Sequence, residues 1–203
     1  MHSDPASTYD PRVNGMTVRA TAIANVQPAL RVGAPAAGLP GATPFALDLA
    51  FWTALGSPQT VCSDPFGNLS LKPPPPATCS NNGAAGRYYV PSDQTPTMQT
   101  VGALVTATPP CAAVQPGSAY IPIYTAVSGN PLIIGFGFAQ VAPNGCDVAI
   151  TPTGSTMASA NATVVVTGGF GAITPADLAT VLADNAALAA TPAGTLLAPA
   201  IVR

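Results

Sequence analysis

The sequence predicts a mainly β protein: an antiparallel β-sandwich-like domain with long Pro/Gly-rich loops and one C-terminal helix. Three observations carry this. Runs of branched and aromatic residues alternate with small or polar ones at period two. Between them stand 24 prolines and 19 glycines, frequent enough to punctuate the chain into short strands. A compact helix start occurs once, near residue 174. The expected organisation is a flexible N-terminus over 1–15, a β-rich domain over 16–170, and a helix with a tail packing on it over 171–203.

Residues 16–32 (MTVRATAIANVQPALRV) alternate apolar residues with Thr, Arg and Asn and suit a strand pair, with Pro28 limiting where the second strand lies. A Gly/Pro/Ala connector leads to PFALDLAFW. Period two there aligns Phe45, Leu47, Leu49 and Phe51, while Thr43-Pro44 would also start a short helix, so strand and helix both stand. In either case Phe45, Leu49 and Trp52 are expected to be buried. Residues 56–86 hold Asp64-Pro65, four consecutive prolines at 73–76 and Ser80-Asn81-Asn82-Gly83, and read as a long surface loop. The prolines favour an extended spacer, with docking to a proline-recognising partner as the sharper alternative. Residues 87–90 and 100–108 are further strand candidates.

The strongest β signal is a hairpin over 119–141. AYIPIYTAV and LIIGFGFAQV flank a turn at Ser128-Gly129-Asn130-Pro131. Its structural residues are Tyr120, Tyr124, Gly135, Phe136, Gly137 and Phe138. Leu132, Ile134, Phe136 and Phe138 are placed on one face, and the bare glycine face is expected to be covered by Tyr120 or Tyr124. Residues 147–151 and 162–167 complete the strands. Thr174-Pro175-Ala176-Asp177 caps a helix expected to run to about residue 190, packing through Leu178, Val181 and Leu182. The tail over 193–203 is apolar enough to add a strand.

Charge limits the function. The chain has six basic and eight acidic side chains, every acid an aspartate, with one lysine (Lys72) and one histidine (His2). Only 7% of residues are charged, far below the usual quarter, although the 48% hydrophobic content is ordinary. General acid–base chemistry, phosphate binding and most metal sites each need titratable clusters that are scarce here. No Gly-x-Ser-x-Gly elbow or phosphate-binding loop is present, and His2 is badly placed for a Ser-His or Cys-His pair. Gly135-Phe136-Gly137 lacks the third glycine and following helix of a dinucleotide site. The expectation is no enzyme, no cofactor, no metal and no nucleic-acid partner. Turn residues around Asn81-Asn82-Gly83 and residues 144–147 offer oxygen ligands for calcium but match no full loop pattern. Asn68 and Asn161 begin glycosylation sequons, meaningful only along a secretory route.

Cys62, Cys79, Cys111 and Cys146 are too widely spaced for a zinc knuckle, and their even number points to disulfides in an oxidising compartment. Of three pairings, Cys62 with Cys79 and Cys111 with Cys146 are favoured. No apolar run is long enough to span a membrane, and the start at Met1 lacks the pattern of a signal peptide, so a targeting segment or anchor would lie outside this chain.

Two blocks resemble a known family. TVRATAIANVQPAL with GATPFALDLAFW, and YIPIYTAVSGNPLIIGFGFAQV, are similar to segments of TadE/TadG-like Flp pilus-assembly proteins. The resemblance implies a non-catalytic extracytoplasmic domain of a tight-adherence pilus system. Its partners would be other protein subunits of the assembly, and its membrane contact would run only through a segment absent here. Exposed apolar strands would favour a homo-oligomer. The C-terminal helix has no counterpart in that pattern. A secreted adhesin-like module binding sugar or protein, and a virion or appendage surface protein, are the alternatives.

Overall fold

The computed structural model describes residues 23–33, 40–79, 82–89, 98–106, 114–154, 156–157, 164–165, 173–189 and 196–202. The N-terminal segment 1–15, Cys111 and the Asn161 sequon lie outside them. In chain order the elements are β1 (Ile23–Pro28), β2 (Arg31–Gly33), β3 (Phe45–Asp48), α1 (Leu49–Ala54), β4 (Gln59–Ser63), β5 (Asn68–Leu71), β6 (Gly86–Tyr88) and β7 (Met98–Thr100). They continue with β8 (Gly117–Val127), β9 (Asn130–Asn144), β10 (Asp147–Pro152), β11 (Thr156–Met157), β12 (Val164–Val165), α2 (Pro175–Ala189) and β13 (Leu196–Val202).

The main sheet is not part of a sandwich. Seven strands close into a barrel in the order β10-β4-β5-β6-β3-β8-β9, with β9 pairing again with β10. Every neighbour is antiparallel except β3 and β8, which run parallel. The sandwich expectation fails because residues 56–86 are not one long loop. That segment supplies β4 and β5, which together with β6, on the strand candidate at 87–90, bridge β10 to β3. Without those three strands, β3 and β10 would be open edges, and closure removes both edges at once.

The ladders fix which side is inside. Phe45 faces Tyr88, Leu47 faces Ile123, Val61 faces Val148, and Ile150 faces Val141. All eight residues on this face are buried. Asp48, Thr60, Arg87, Gln140, Asp147 and Thr151 occupy alternate positions, on the outer face. Period-two alternation therefore separates an apolar interior from a more polar exterior.

Local chemistry explains the element boundaries. Asp48 ends β3 with extended φ/ψ of −68° and 141°, and its Oδ1 accepts the Ala50 N–H at 2.8 Å, which starts α1. PFALDLAFW is thus a strand and then a helix, and the cap is Asp48 rather than Thr43. Phe45 and Trp52 are fully buried, while Leu49 is only partly so. The β8–β9 hairpin turns on Ser128 and Gly129, both at positive φ (49° and 82°), as a type I′ turn requires.

A register shift modifies the hairpin. Ile123 faces Gly135 but Tyr124 faces Ile133, leaving Ile134 as an extra residue, a β-bulge. Leu132 consequently does not share a face with Phe136 and Phe138 as simple alternation would have it. The bulged Ile134 carbonyl accepts a hydrogen bond from the Asn185 side chain of α2 at 2.7 Å.

Gly135 and Gly137 lie on the interior face with Ile121 and Ile123, opposite to the face of Tyr120 and Tyr124. Helices cover them instead of the tyrosines. A Cβ on Gly137 would come within 2.3 Å of the Trp52 ring of α1, and one on Gly135 within 2.7 Å of Leu188 of α2. The α2 contact stripe is Val181, Asn185 and Leu188, at i, i+4 and i+7, and Leu182 is exposed. The predicted cap of α2 is present: Thr174 donates to the Asp177 carboxylate at 2.6 Å, and the Asp177 N–H donates back to Thr174 Oγ1 at 3.3 Å.

The two strands read from residues 16–32 do not pair with each other. β1 pairs with the tail strand β13, which also takes β11, and β2 lies between β12 and β7. Of the described part of the candidate over 100–108, residues 100–106, Thr100 alone lies in a strand, and Leu104 forms an isolated bridge to Leu132.

Two buried polar atoms on interior residues, Tyr88 Oη and Trp52 Nε1, make no hydrogen bond among the described residues. Burial, aided by the negative charge of Asp147, pushes the Tyr88 phenol from 10.0 up to about 12. The unfolded chain loses this proton near pH 10 and the folded chain near 12, so stability falls as pH rises through that window. Tyr88→Phe is expected to leave stability at pH 7 unchanged or slightly raised and to flatten the decline between pH 10 and 12. Urea unfolding at pH 8 and pH 11 measures this, and an unchanged alkaline slope in the variant would refute it.

Candidate functional site

A polar cleft lies on the outer face, where β3, β6 and β8 meet the tip of the β8–β9 hairpin. Its volume is about 440 Å³, and Asp48, Arg87, Tyr124, Ala126 and Pro131 line it together with Gly83, Ala84 and Gly129. Strand register assembles it: Asp48 faces Tyr124 across β3 and β8, and Arg87 faces Ala46 across β6 and β3. The Arg87 Cζ lies over the Tyr124 ring at 5.4 Å from its centroid, a cation–π geometry. Burial raises the Tyr124 phenol above its ordinary value and Asp48 adds to this, while the adjacent Arg87 guanidinium pulls it down.

Neither Arg87 nor Asp48 was among the residues expected to form a site, although Tyr124 was, as a packing residue. One signal was available. Arg87 is a lone charge between Gly86 and Tyr88-Tyr89 in a chain with very few charges, on a segment readable as a strand.

Other polar residues are engaged elsewhere. Asp64, itself buried, accepts from the Phe66 N–H, the Asn68 N–H and the Asn68 side-chain amide at 2.8, 2.8 and 2.9 Å. Burial raises its carboxyl, but the donors from Asn68, Phe66 and Gly67 outweigh this and hold it below its ordinary value. The side-chain amide of the Asn68 sequon is thus engaged in this turn. Asn82 Oδ1 accepts from Ser70 Oγ at 2.8 Å and the Ala84 N–H at 3.1 Å, which makes it a turn residue. Lys72 pairs with Asp147. Asp177 also accepts from Ser128 at 2.5 Å, tying the start of α2 to the hairpin tip, and Ser128 and Thr174 together lower its carboxyl. Among the described residues no group of three or more His, Cys, Asp or Glu is placed to hold a metal ion.

Cys62 and Cys79 form a disulfide, as the favoured pairing has it. Cys146 is also disulfide-bonded; Cys111, the partner expected for it, is outside the described residues. The Tyr120 and Phe138 rings pack at 5.6 Å in a tilted pair on the outer face, and Phe136 is fully buried. The hairpin residues singled out from sequence are thus packing positions, divided between the two faces of the sheet.

The chain matches no protein-family model, no curated protein and no solved structure. A disulfide fits a protein that works outside the reducing cytoplasm. No helix among the described residues is long and apolar enough to cross a membrane.

Proposed function

We propose that this chain is a non-catalytic structural domain working outside the cytoplasm, at the cell surface or in the periplasm, as a component of a Tad-type pilus or adherence apparatus. The observation that carries the proposal is how the polar side chains are used. Asp48 caps a helix, Asp64 organises a turn, Asp147 pairs with Lys72, and Asp177 locks a cap to a hairpin. Each of these carboxylates holds the architecture together. The Cys62–Cys79 crosslink supports the compartment, and the two sequence blocks resembling TadE/TadG-like proteins support the apparatus. Those blocks contribute β1, β3, α1 and most of the β8–β9 hairpin. Its binding partners are other protein subunits of the assembly.

Deletion of the gene in its own host tests this, scored by electron microscopy of surface filaments and by attachment to a solid surface. Filament loss restored by the wild-type gene is the expected result. Normal filaments and normal attachment in the deletion strain would overturn the proposal.

A further inference from the structure

The outer-face cleft sets two opposite charges on one surface without letting them meet. Asp48 and Arg87 are diagonal neighbours across β3 and β6, yet among the described residues the only ion pair joins Lys72 to Asp147. The Arg87 guanidinium lies over the Tyr124 ring and is hydrogen-bonded to the Tyr124 side chain, while its Nε is buried with no hydrogen-bond acceptor among the described residues. Asp48 uses Oδ1 for the Ala50 N–H, and among the described residues nothing donates to Oδ2. Part-exposed opposite charges gain little by closing on each other, so each stays available to a second partner. Held apart, they form a preorganised pair of poles.

Ligand chemistries can be sorted against these poles. Phosphate or a simple carboxylate would satisfy Arg87 but be repelled by Asp48. A sugar ring needs an open aromatic platform, and Tyr124 is only 4% exposed with Arg87 over its ring. A ligand carrying a carboxylate and an ammonium a few ångströms apart meets both poles at once. The remaining wall is small and apolar, with Ala84, Ala126 and Pro131 between Gly83 and Gly129. The cleft volume, about 440 Å³, lies within the roughly 300–1,000 Å³ range of small-molecule sites.

We propose that this cleft binds a free zwitterionic amino acid, with the ligand carboxylate on Arg87, its ammonium on Asp48, and its side chain against Ala126 and Pro131. The site is independent of the assembly role argued above and would persist whatever apparatus the domain serves.

Titration of the 15N-labelled protein followed by amide chemical shifts tests the assignment, using L-leucine, sodium acetate, ethylammonium chloride, inorganic phosphate and glucose in separate arms. L-Leucine is expected to give saturable shifts centred on Gly83, Ala84, Arg87 and Gly129, with binding about tenfold or more tighter than acetate or ethylammonium. Arg87→Gln and Asp48→Asn are each expected to weaken leucine binding about tenfold or more. Asparagine caps a helix as well as aspartate, so the second variant keeps α1. The proposal is overturned if leucine gives no saturable shift in the wild-type protein, or if acetate or phosphate binds as tightly. It is equally overturned if glucose is the tighter ligand, or if leucine binding survives both substitutions.

Discussion

Gly137→Ala is expected to destabilise the barrel by about 3 kcal/mol, the upper end of the usual cost of forcing extra volume into a packed core. The added methyl would sit 2.3 Å from Trp52 Cζ2 and 2.7 Å from Cε2 and Cη2. A flexible side chain could swing aside, but these atoms belong to a rigid indole that is fully buried. Either the ring leaves its position or β9 moves away from β8 and β10. Because both ladders of β9 help to close the barrel, displacement there is transmitted around the ring. The partner is tested directly by repeating the substitution in a Trp52→Leu background, with urea unfolding as the readout. There the methyl gains room, and the cost of Gly137→Ala is expected to fall below about 1 kcal/mol, a coupling expected only for residues in contact. Equal costs in the two backgrounds would show that Trp52 is not what the glycine accommodates.

The second large effect belongs to the Cys62–Cys79 disulfide. Its cysteines are 17 residues apart, and restricting the unfolded chain over a loop of that length stabilises by about 3 kcal/mol in the chain-entropy account. The closed loop contains the whole of β5, whose Ser70 faces Cys62 in the ladder. The crosslink therefore fastens the arc of strands that turns an open sheet into a barrel. Cys62→Ser/Cys79→Ser is expected to lose about 3 kcal/mol relative to the oxidised protein in urea unfolding. Reducing the wild type, which also opens the disulfide at Cys146, should cost at least as much. A variant as stable as the oxidised wild type would mean that β4, β5 and β6 hold together without it.

The elements legible in the sequence were those whose signal is local. The β8–β9 hairpin shows alternating branched and aromatic residues on both sides of a Ser-Gly turn, and the α2 start shows Thr, Pro and Asp at cap spacing. The Cys62–Cys79 pair was legible from its place around the proline segment. The strand candidate at 87–90 became β6, but closure of the barrel was not legible, because β4 and β5 are only five and four residues long and set among Pro, Gly and Asn. Such strands are stabilised by neighbours far away in sequence, and residue preferences alone read them as loop. Cover for Gly135 and Gly137 had the same origin. Period two correctly placed them on a bare face, but the ring over one comes from α1 and the leucine over the other from α2, both remote in the chain. Asp48, Arg87 and Tyr124 met in one cleft for the same reason, since nothing in their spacing reveals a parallel β3–β8 pair.

An oxidised, crosslinked barrel fits a protein outside the reducing cytoplasm. Fractionation of the native host, followed by alkylation of free thiols and non-reducing peptide mass mapping of the chain, tests that directly. The predicted result is recovery in the extracytoplasmic fraction with a Cys62–Cys79 crosslinked peptide and no alkylation at Cys62, Cys79 or Cys146. Recovery in the cytoplasm with those cysteines alkylated would contradict it.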